Sequence, residues 1–204
     1  MLDWKDAFPM QCPKLGINAF LECGVRSSII PLLISYFQDR TMVVKWHGKT
    51  SKEKPLNGGG PQGGLLGILE YLAQSNKNAN CVEPNSRFKF VDDLTTLEKI
   101  SILMICLASH NIKQQVPNDI NENKLFIPSK KLKSQEYINQ IQAWTINQKM
   151  ELNEEKTKAM VFNFTRTKQF STRLTLKNQN IETVKHTKLL GTIISDNLKW
   201  NKNT

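Results

Sequence analysis

Two adjacent carboxylates, Asp92 and Asp93, are the residues of this sequence best suited to chemistry. They follow Arg87–Val91, where basic and apolar residues alternate, so the pattern predicts one strand of a hairpin with both acids at its tip. Adjacent carboxylates repel each other, and a hard divalent cation offsets that charge because it takes carboxylate oxygens as ligands. A solvated Asp-Asp turn is a common alternative, so this dipeptide alone does not identify a metal site.

A third acid, Asp3, strengthens the metal hypothesis. It opens Asp3–Phe8, a short segment that we predict to be another strand. A two-metal site needs carboxylates from separate strands, which hold ions roughly 3.5–4 Å apart. Asp3 and Asp92 would meet this need if their two strands pair.

A glycine-rich loop, Gly58–Gly67, supplies a second candidate site. Its first residues fit the pattern of a dinucleotide-binding turn, but polar Ser51–Asn57 precedes them and Pro61 lies inside the turn, so we reject that reading. No Gly-Lys-Ser/Thr follows, which excludes a P-loop. A glycine loop that opens a helix can still place backbone N–H groups and the Gln62 amide beside a nucleotide or template strand. An ordinary glycine turn is the alternative.

Hydrophobic periodicity predicts the elements that would position these residues. The predicted helices are two in Lys14–Phe37, joined near Cys23–Arg26, then one starting at Leu65–Leu72, one at Leu94–Leu107 and one at Ser134–Met150. The predicted strands are Thr41–His47 with a turn at Gly48–Thr50, Ala159–Phe164, the pair Arg173–Leu176 and Ile181–Val184, and Leu189–Ile194. Asn111–Lys130 is polar and predicts a loop. This mixed, non-alternating order predicts an α+β fold.

The composition favours an anionic partner. The chain has 204 residues, of which 39% are hydrophobic, and 28 Lys and Arg against 18 Asp and Glu give a formal net charge of +10. Nucleic acid is the first candidate, because a phosphate backbone binds distributed Lys and Arg, although a solvated basic surface is also common. We expect Trp46 and Trp200 to be packing residues rather than surfaces for base stacking.

Other features predict an intracellular protein, nuclear or cytoplasmic, that is neither secreted nor membrane-bound. The N-terminus does not resemble a signal peptide, and the apolar runs Ile29–Phe37 and Ile100–Ala108 are too short to cross a bilayer. The cysteines form no CxxC pair, which argues against a zinc site or a disulfide framework and favours reduced thiols; they are Cys12, Cys23, Cys81 and Cys106.

Taken in order, these segments resemble the reverse transcriptase family, and in particular its non-LTR retrotransposon branch. The matching segments are Asp3–Phe8 for the first catalytic motif, Gly60–Gly63 for the Pro-Gln-Gly motif, Phe90–Asp93 for the aromatic-x-Asp-Asp motif, Trp144 with Met150–Lys158 for the Leu-Asn-x-x-Lys-Thr motif, and Leu189–Gly191 with Leu198–Trp200 for the segment before the thumb. Each match is weak alone, but their shared order is specific and spans nearly the whole chain.

The resemblance implies a partial reverse transcriptase domain over residues 1–204. Its core would be a palm, a ferredoxin-like antiparallel sheet packed on helices, with part of the connection between fingers and palm. The fingers and the thumb would be largely missing, because the family's fingers precede the first catalytic motif and its thumb follows the last one. We therefore expect impaired catalysis from these residues alone.

The activity that the resemblance implies is RNA-directed DNA synthesis. Two Mg²⁺ ions, or Mn²⁺ in their place, would support transfer of a nucleotide from a dNTP to the 3′-hydroxyl of a DNA primer on an RNA template. An inactive retroelement remnant or a non-catalytic nucleic-acid-binding protein is the alternative. RNA-dependent RNA polymerases share the palm, but Phe8 and the Leu-Asn-x-x-Lys-Thr segment favour a reverse transcriptase.

The resemblance also implies roles for the acids and their neighbours. Asp3 and Asp92 would coordinate both ions, Asp93 would assist, and the Trp4 carbonyl would complete the metal shell. Lys156 would protonate or neutralise the leaving pyrophosphate.

Nucleotide and template would meet a second group of residues. Phe8 would stand under the sugar and exclude a 2′-hydroxyl, and the Pro-Gln-Gly loop would contact nucleotide and template through Gly60, Pro61, Gln62 and Gly63. The chain departs from the family at Pro9, where a second Asp is common, and at Gly64–Gly67, which lacks the usual Ser-Pro-Leu-Leu-Phe.

Overall fold

The computed structural model describes residues 1–101, 124–127, 132–164 and 169–200, with the backbone alone at 124–127 and 169–171. The chain divides into two compact units. The first unit consists of Met1–Asp3, Cys81–Gln142 and Leu152–Thr204, and the second of Trp4–Asn80 and Ala143–Glu151.

The described residues form helices and short strands. The helices are α1 (Pro13–Glu22), α2 (Ile30–Phe37), α3 (Leu65–Ser75) and α4 (Lys133–Gln148). The strands are β1 (Thr41–Met42), β2 (Lys45–Trp46), β3 (Lys49–Thr50), β4 (Lys54–Pro55), β5 (Arg87–Phe90), β6 (Asp93–Thr96), β7 (Lys124–Ile127), β8 (Lys158–Ala159), β9 (Gln169–Thr172), β10 (Thr175–Leu176), β11 (Gln179–Asn180), β12 (Glu182–Thr183), β13 (His186–Leu189) and β14 (Thr192–Ser195). No helix in the described ranges is long and apolar enough to cross a membrane.

These strands pair two by two. Antiparallel pairs join β1 to β4, β2 to β3, β5 to β6, β10 to β11 and β13 to β14. Parallel pairs join β8 to β12 and β7 to β9. The chain is therefore a mixed α and β protein with small, mainly antiparallel sheets, which agrees with the predicted α+β class at this level.

The predicted helix pair between residues 14 and 37 is confirmed. Gly24 ends α1 with a φ of 84°, a left-handed conformation that glycine adopts without steric cost. The Val25 N–H then donates to the Phe20 carbonyl at 3.0 Å, which closes the turn. The apolar stripes of both helices meet in a buried cluster of Phe20, Ile30, Leu33 and Phe37. The predicted helices at Leu65 and Ser134 are confirmed as α3 and α4.

Two predicted strands are interrupted by turns, because residues within them take left-handed backbone conformations. Thr41–His47 is not one strand but β1 and β2, and Lys49 and Thr50 form β3, because the turn lies at His47 and Gly48 with φ of 46° and 75°. Leu189–Ile194 is likewise wrong as one strand, since positive φ at Leu190 and Gly191 turns the chain between β13 and β14.

Two segments next to the candidate acids differ from their predicted structure. Asp3–Phe8 is wrong as a strand: Lys5–Met10 is a turn in which the Met10 N–H donates to the Asp6 carbonyl at 2.9 Å. The first residues of the predicted helix at Leu94–Leu107 instead belong to β6, and residues 102–107 lie outside the described ranges.

Two more strand predictions need correction. Ala159–Phe164 contributes only Ala159 to β8, and 160–164 have no regular structure. The second predicted hairpin turns earlier, at Lys177 and Asn178, both at positive φ, so β10 pairs with β11 while β12 pairs with β8. Most of the predicted loop Asn111–Lys130 lies outside the described ranges.

In the first unit, side-chain acceptors fix the start of α4. The Glu98 carboxylate accepts hydrogen bonds from the backbone N–H groups of Lys133 at 3.1 Å and Ser134 at 2.9 Å. These N–H groups lack partners within the helix. A negative charge at this end also interacts favourably with the positive end of the helix dipole. The Gln135 side chain then fastens α4 to β10, because its amide donates to the Thr175 carbonyl and accepts from the Thr175 N–H.

In the second unit, a carboxyl group is buried among small residues. Glu70 of α3 has no exposed surface, and neither of its oxygens has a hydrogen-bond partner among the described residues. A Cβ on Gly16 of α1 would lie 2.6 Å from the Glu70 side chain, so glycine makes room for it. Burial raises the pKa of Glu70 to about 7, although the charge of Arg40 lowers it.

This burial predicts a pH-dependent stability. The unfolded Glu70 loses its proton near pH 4.5, whereas the folded one keeps it to about pH 7, so the free energy of unfolding should fall as pH rises through this window. A shift of the pKa from 4.5 to about 7 corresponds to a loss on the order of 3 kcal/mol. Glu70→Gln should remove the loss in urea unfolding curves compared below and above the window. Glu22→Gln, at an exposed ion pair of α1, is the control, and an unchanged pH slope in Glu70→Gln would contradict the assignment.

Candidate active site

The hairpin of β5 and β6 carries Asp92 and Asp93. Phe90 pairs with Asp93, so the two-residue turn consists of Val91 and Asp92, and Asp93 is the first residue of β6. The predicted hairpin is thus confirmed with its tip one residue earlier than expected. Asp92 is exposed in the turn, whereas Asp93 is half-buried.

Val91 holds this turn in a strained conformation. Its φ is 52°, in the left-handed region that a β-branched side chain rarely adopts. Such a residue costs on the order of 1–3 kcal/mol and persists where the surrounding structure imposes it, often at functional sites. The strain lies directly beside the acid pair.

Asp3 joins the hairpin through backbone pairing. Leu2 and Leu94 form an antiparallel bridge, in which the Leu2 N–H donates to the Leu94 carbonyl at 2.7 Å. Continuing this register by one residue sets Asp3 beside Asp93. Both leucines are buried, with 3% and 1% of their surface exposed, which anchors the pairing in the core.

The turn Leu152–Lys158 also binds Asp3, through hydrogen bonds to its backbone. The Asp3 N–H donates to the Thr157 hydroxyl at 3.2 Å, and the Asn153 N–H donates to the Asp3 carbonyl at 2.9 Å. The Asn153 side chain caps the turn by accepting from the N–H groups of Glu155 and Lys156, both at 3.1 Å. This geometry sets Lys156 in the electrostatic neighbourhood of Asp3.

Burial and like charge act together on these acids. Burial raises the pKa of Asp3, the charge of Lys156 lowers it, and the charges of Asp92 and Asp93 raise it again. Burial also raises the pKa of Asp93, with a further rise from Asp92. The four side chains therefore form one electrostatic cluster within the first unit, with negative charge in excess.

A metal ion would suit this excess of carboxylate oxygen. Mg²⁺ binds carboxylates together with water and substrate phosphates, so it does not require a cage made of protein alone. In the described part of the chain, however, no group of three or more His, Cys, Asp or Glu side chains is arranged to hold a metal. Donor chemistry and charge fit Mg²⁺, and the two-ion site stays a prediction.

The other predicted residues belong to the second unit. Trp4 is buried and packs its ring edge-on against Trp144, with 6.0 Å between ring centroids. Phe8 is half-buried against Tyr71 at 5.1 Å. The Phe8 carbonyl accepts a hydrogen bond from the Gly60 N–H at 3.0 Å, so the structure brings these two predicted residues together.

The Pro-Gln-Gly loop is held by its backbone. The Gly59 N–H donates to the Gln11 carbonyl at 2.8 Å, and the Arg40 guanidinium donates to the Gly59 carbonyl at 2.7 Å. A Cβ on Gly60 would lie 1.7 Å from Gln11 Oε1, so a larger residue there would require the Gln11 side chain to move.

The end of the loop leads into α3. Pro61 is half-buried, and its carbonyl approaches Gly67 so closely that a Cβ there would lie 1.8 Å away. Gln62 and Gly63 are exposed, and Gly63 has a φ of 88°.

Asn153 and Thr157 contribute to the site, although the sequence does not predict a role for either residue. Both were matched only as letters of a motif, yet their hydrogen bonds hold Asp3 in place. The signal for Asn153 is local, because Asn ahead of Glu-Glu-Lys is typical of a side chain that caps a turn. No local signal identifies Thr157, whose partner is 154 residues away in the sequence.

A cleft in the first unit offers little as an alternative site. It has a volume of about 580 Å³ and is lined by residues 182–186 and 195–197. None of the predicted site residues lines it, and the acids that it contains, Glu182 and Asp196, are only two.

No family model matches the chain, and it is not significantly similar to any curated protein with which it was compared. The functional assignment therefore rests on the residues and geometry described above.

The grip of Thr157 on Asp3 is testable. Thr157→Val keeps the shape but leaves the Asp3 N–H without an acceptor, which should cost about 1–3 kcal/mol in the free energy of unfolding. The Asp3 amide should also exchange faster with solvent. Thr157→Ser is the matched control, because it keeps the oxygen; amide exchange measured by NMR should remain slow there. Equal exchange rates in the two variants would argue against the hydrogen bond.

Proposed function

We propose that this chain belongs to an RNA-directed DNA polymerase of the reverse transcriptase type, with its palm in the first unit. The observation that carries the proposal is the pairing of Leu2 with Leu94, beside which Asp3 and Asp93 lie. This pairing is what a two-metal site requires, since its carboxylates must come from separate segments. The strained Val91 turn and the Asn153 cap support it, because both fix the positions of charged groups.

In the proposed mechanism, the acids act as a deprotonated cluster. Asp3, Asp92 and Asp93 would hold the metal ions, and the resemblance adds the Trp4 carbonyl as a further ligand. Bound Mg²⁺ would activate the primer 3′-hydroxyl and offset charge on the triphosphate. Lys156 adds positive charge beside Asp3, where it can neutralise or protonate the pyrophosphate as it leaves.

In the second unit, the proposed substrate contacts are a sugar contact and a base or template contact. Phe8 presents a ring steadied by Tyr71, and a fixed aromatic face can exclude a 2′-hydroxyl by contact. The exposed Gln62 amide can bind nucleotide or template. We propose dNTPs, a DNA primer and an RNA template as the partners.

A non-catalytic nucleic-acid-binding protein or an inactive retroelement remnant is the second candidate. The formal net charge of +10 supports nucleic-acid binding without requiring catalysis. Binding that depends on salt but not on Mg²⁺, in the absence of nucleotide addition, would favour it.

The metal site can be tested apart from activity. Mg²⁺ at 100 times its Kd should stabilise the protein by about 2.7 kcal/mol, visible as a rise in Tm. Asp93→Asn should lose this response, yet in EDTA it should be at least as stable as the wild type, because it relieves repulsion with Asp3. The Mg²⁺ response should weaken as pH falls, since the raised pKa of Asp3 lets protons compete sooner.

The control for metal binding is Asp6→Asn, an exposed acid three residues from Asp3. It should keep the wild-type response to Mg²⁺. A normal response in Asp93→Asn, or no response in the wild type, would count against the metal centre.

Catalysis is tested by single-nucleotide addition. With Mg²⁺, we expect only weak addition of a labelled dNTP to a DNA primer annealed to an RNA template, because catalysis by these residues alone should be impaired. Asp92→Asn should reduce this addition to background because a metal ligand is lost. Asp196→Asn, in the turn that follows β14 of the same unit, should retain activity. Addition that survives Asp92→Asn would refute the proposed site, and a preference for NTPs would indicate an RNA polymerase.

A further inference from the structure

The second unit carries an exposed, two-part hairpin at residues 41–55, which we name the basic hairpin. Strands β1 and β4 form its base, and β2 and β3 form its end. Between them, Val44 and Ser51 exchange hydrogen bonds: the Ser51 N–H donates to the Val44 carbonyl, and the Val44 N–H donates to the Ser51 hydroxyl. Every residue in the basic hairpin is exposed, so it adds nothing to the core of the unit.

Positive charge is concentrated on this segment. It contains four lysines but only one acid, Glu53; the lysines are Lys45, Lys49, Lys52 and Lys54. Glu53 accepts a hydrogen bond from the Thr41 hydroxyl. Among the residues that the structure describes, none of the four lysines forms a salt bridge, so their ammonium groups remain available to an anionic partner.

An aromatic ring accompanies these charges. Trp46 is 73% exposed, and its ring meets that of His47 at 4.8 Å, nearly at right angles. The prediction that Trp46 is a packing residue is therefore wrong. Trp46 lies directly opposite Lys49, and cross-strand partners project from the same face of a hairpin.

The base of the basic hairpin repeats this combination. Met42 lies opposite Lys54, so an exposed apolar side chain again stands next to an exposed lysine. In both pairs the charge shares a face with the apolar group. A segment that inserts into a membrane needs an apolar face separated from its charges, and these pairs do not provide one.

We infer that the basic hairpin binds single-stranded nucleic acid. A base stacks on the indole of Trp46, and Lys49 and Lys54 contact the phosphates on either side. Stacking on an exposed ring needs an unpaired base, and ammonium groups beside the ring suit the phosphates that flank it. Duplex nucleic acid hides its base faces, so it should bind more weakly.

This inference goes beyond the proposed polymerase activity and uses none of the acids of the candidate active site. It is tested in EDTA, where no metal-dependent step takes place. Failure of the hairpin to bind and failure of the metal site to respond to Mg²⁺ are therefore separate results.

The experiment measures the affinity of the full chain for fluorescent oligouridylate and oligothymidylate by anisotropy across a salt series. Trp46→Ala should weaken binding roughly 5- to 150-fold, the range for loss of one stacked base. Trp46→Phe keeps an aromatic face and should restore most of the affinity. The double variant Lys49→Ala/Lys54→Ala should reduce the slope of log Kd against log salt by about 1.4, or about 0.7 for each lost phosphate contact.

Matched controls separate the basic hairpin from general charge and aromaticity. Trp200→Ala removes another exposed tryptophan, and Lys185→Ala/Lys188→Ala removes two exposed lysines of the other unit. Both should bind close to wild type. Equal losses in the hairpin variants and their controls would overturn the inference. So would wild-type affinity in Trp46→Ala, or hairpin variants that lose binding to anionic vesicles but keep binding to oligonucleotides.

Discussion

The candidate active site depends on backbone hydrogen bonds that hold like charges together. Burial is the main cause of the raised pKa of Asp3, and repulsion from the negative charges of Asp92 and Asp93 raises it further. What opposes this repulsion is the bridge between Leu2 and Leu94, made of buried side chains and a hydrogen bond of 2.7 Å. The charges are therefore held by the core beneath them rather than by one another, and a cation would relieve a repulsion that already exists in the folded protein.

The backbone beside the acids is also in an unfavourable state, because Val91 takes a left-handed conformation. Positive φ at the first turn residue is shared with other described hairpins, at His47, Lys177 and Leu190. Val91 differs from these three because it is β-branched, the side-chain type for which its φ of 52° is least favourable. Unfavourable conformation and unfavourable charge thus coincide at one place, which is how functional sites commonly differ from their surroundings.

Local pattern accounts for the parts of the fold that are local. Helical spacing between residues 14 and 37 gives both helices, and alternation before Asp92 gives the hairpin, because these elements close over short distances. Turns were misplaced where residues such as His47 and Leu190 take left-handed conformations that their types do not favour. The bridge from Leu2 to Leu94 lies beyond any local signal, since register between distant segments is set by packing.

The backbone of the Pro-Gln-Gly loop is largely engaged in packing and hydrogen bonds, which restricts how the loop could bind a ligand. The buried Gln11 side chain fills the space that a Cβ on Gly60 would take, so packing is enough to account for this glycine. The N–H groups of Gly59 and Gly60 already donate to the carbonyls of Gln11 and Phe8, and they cannot also bind a phosphate while those bonds persist. In the proposed function, this loop would therefore contact nucleotide or template through its exposed end, where the Gln62 amide offers a donor and an acceptor.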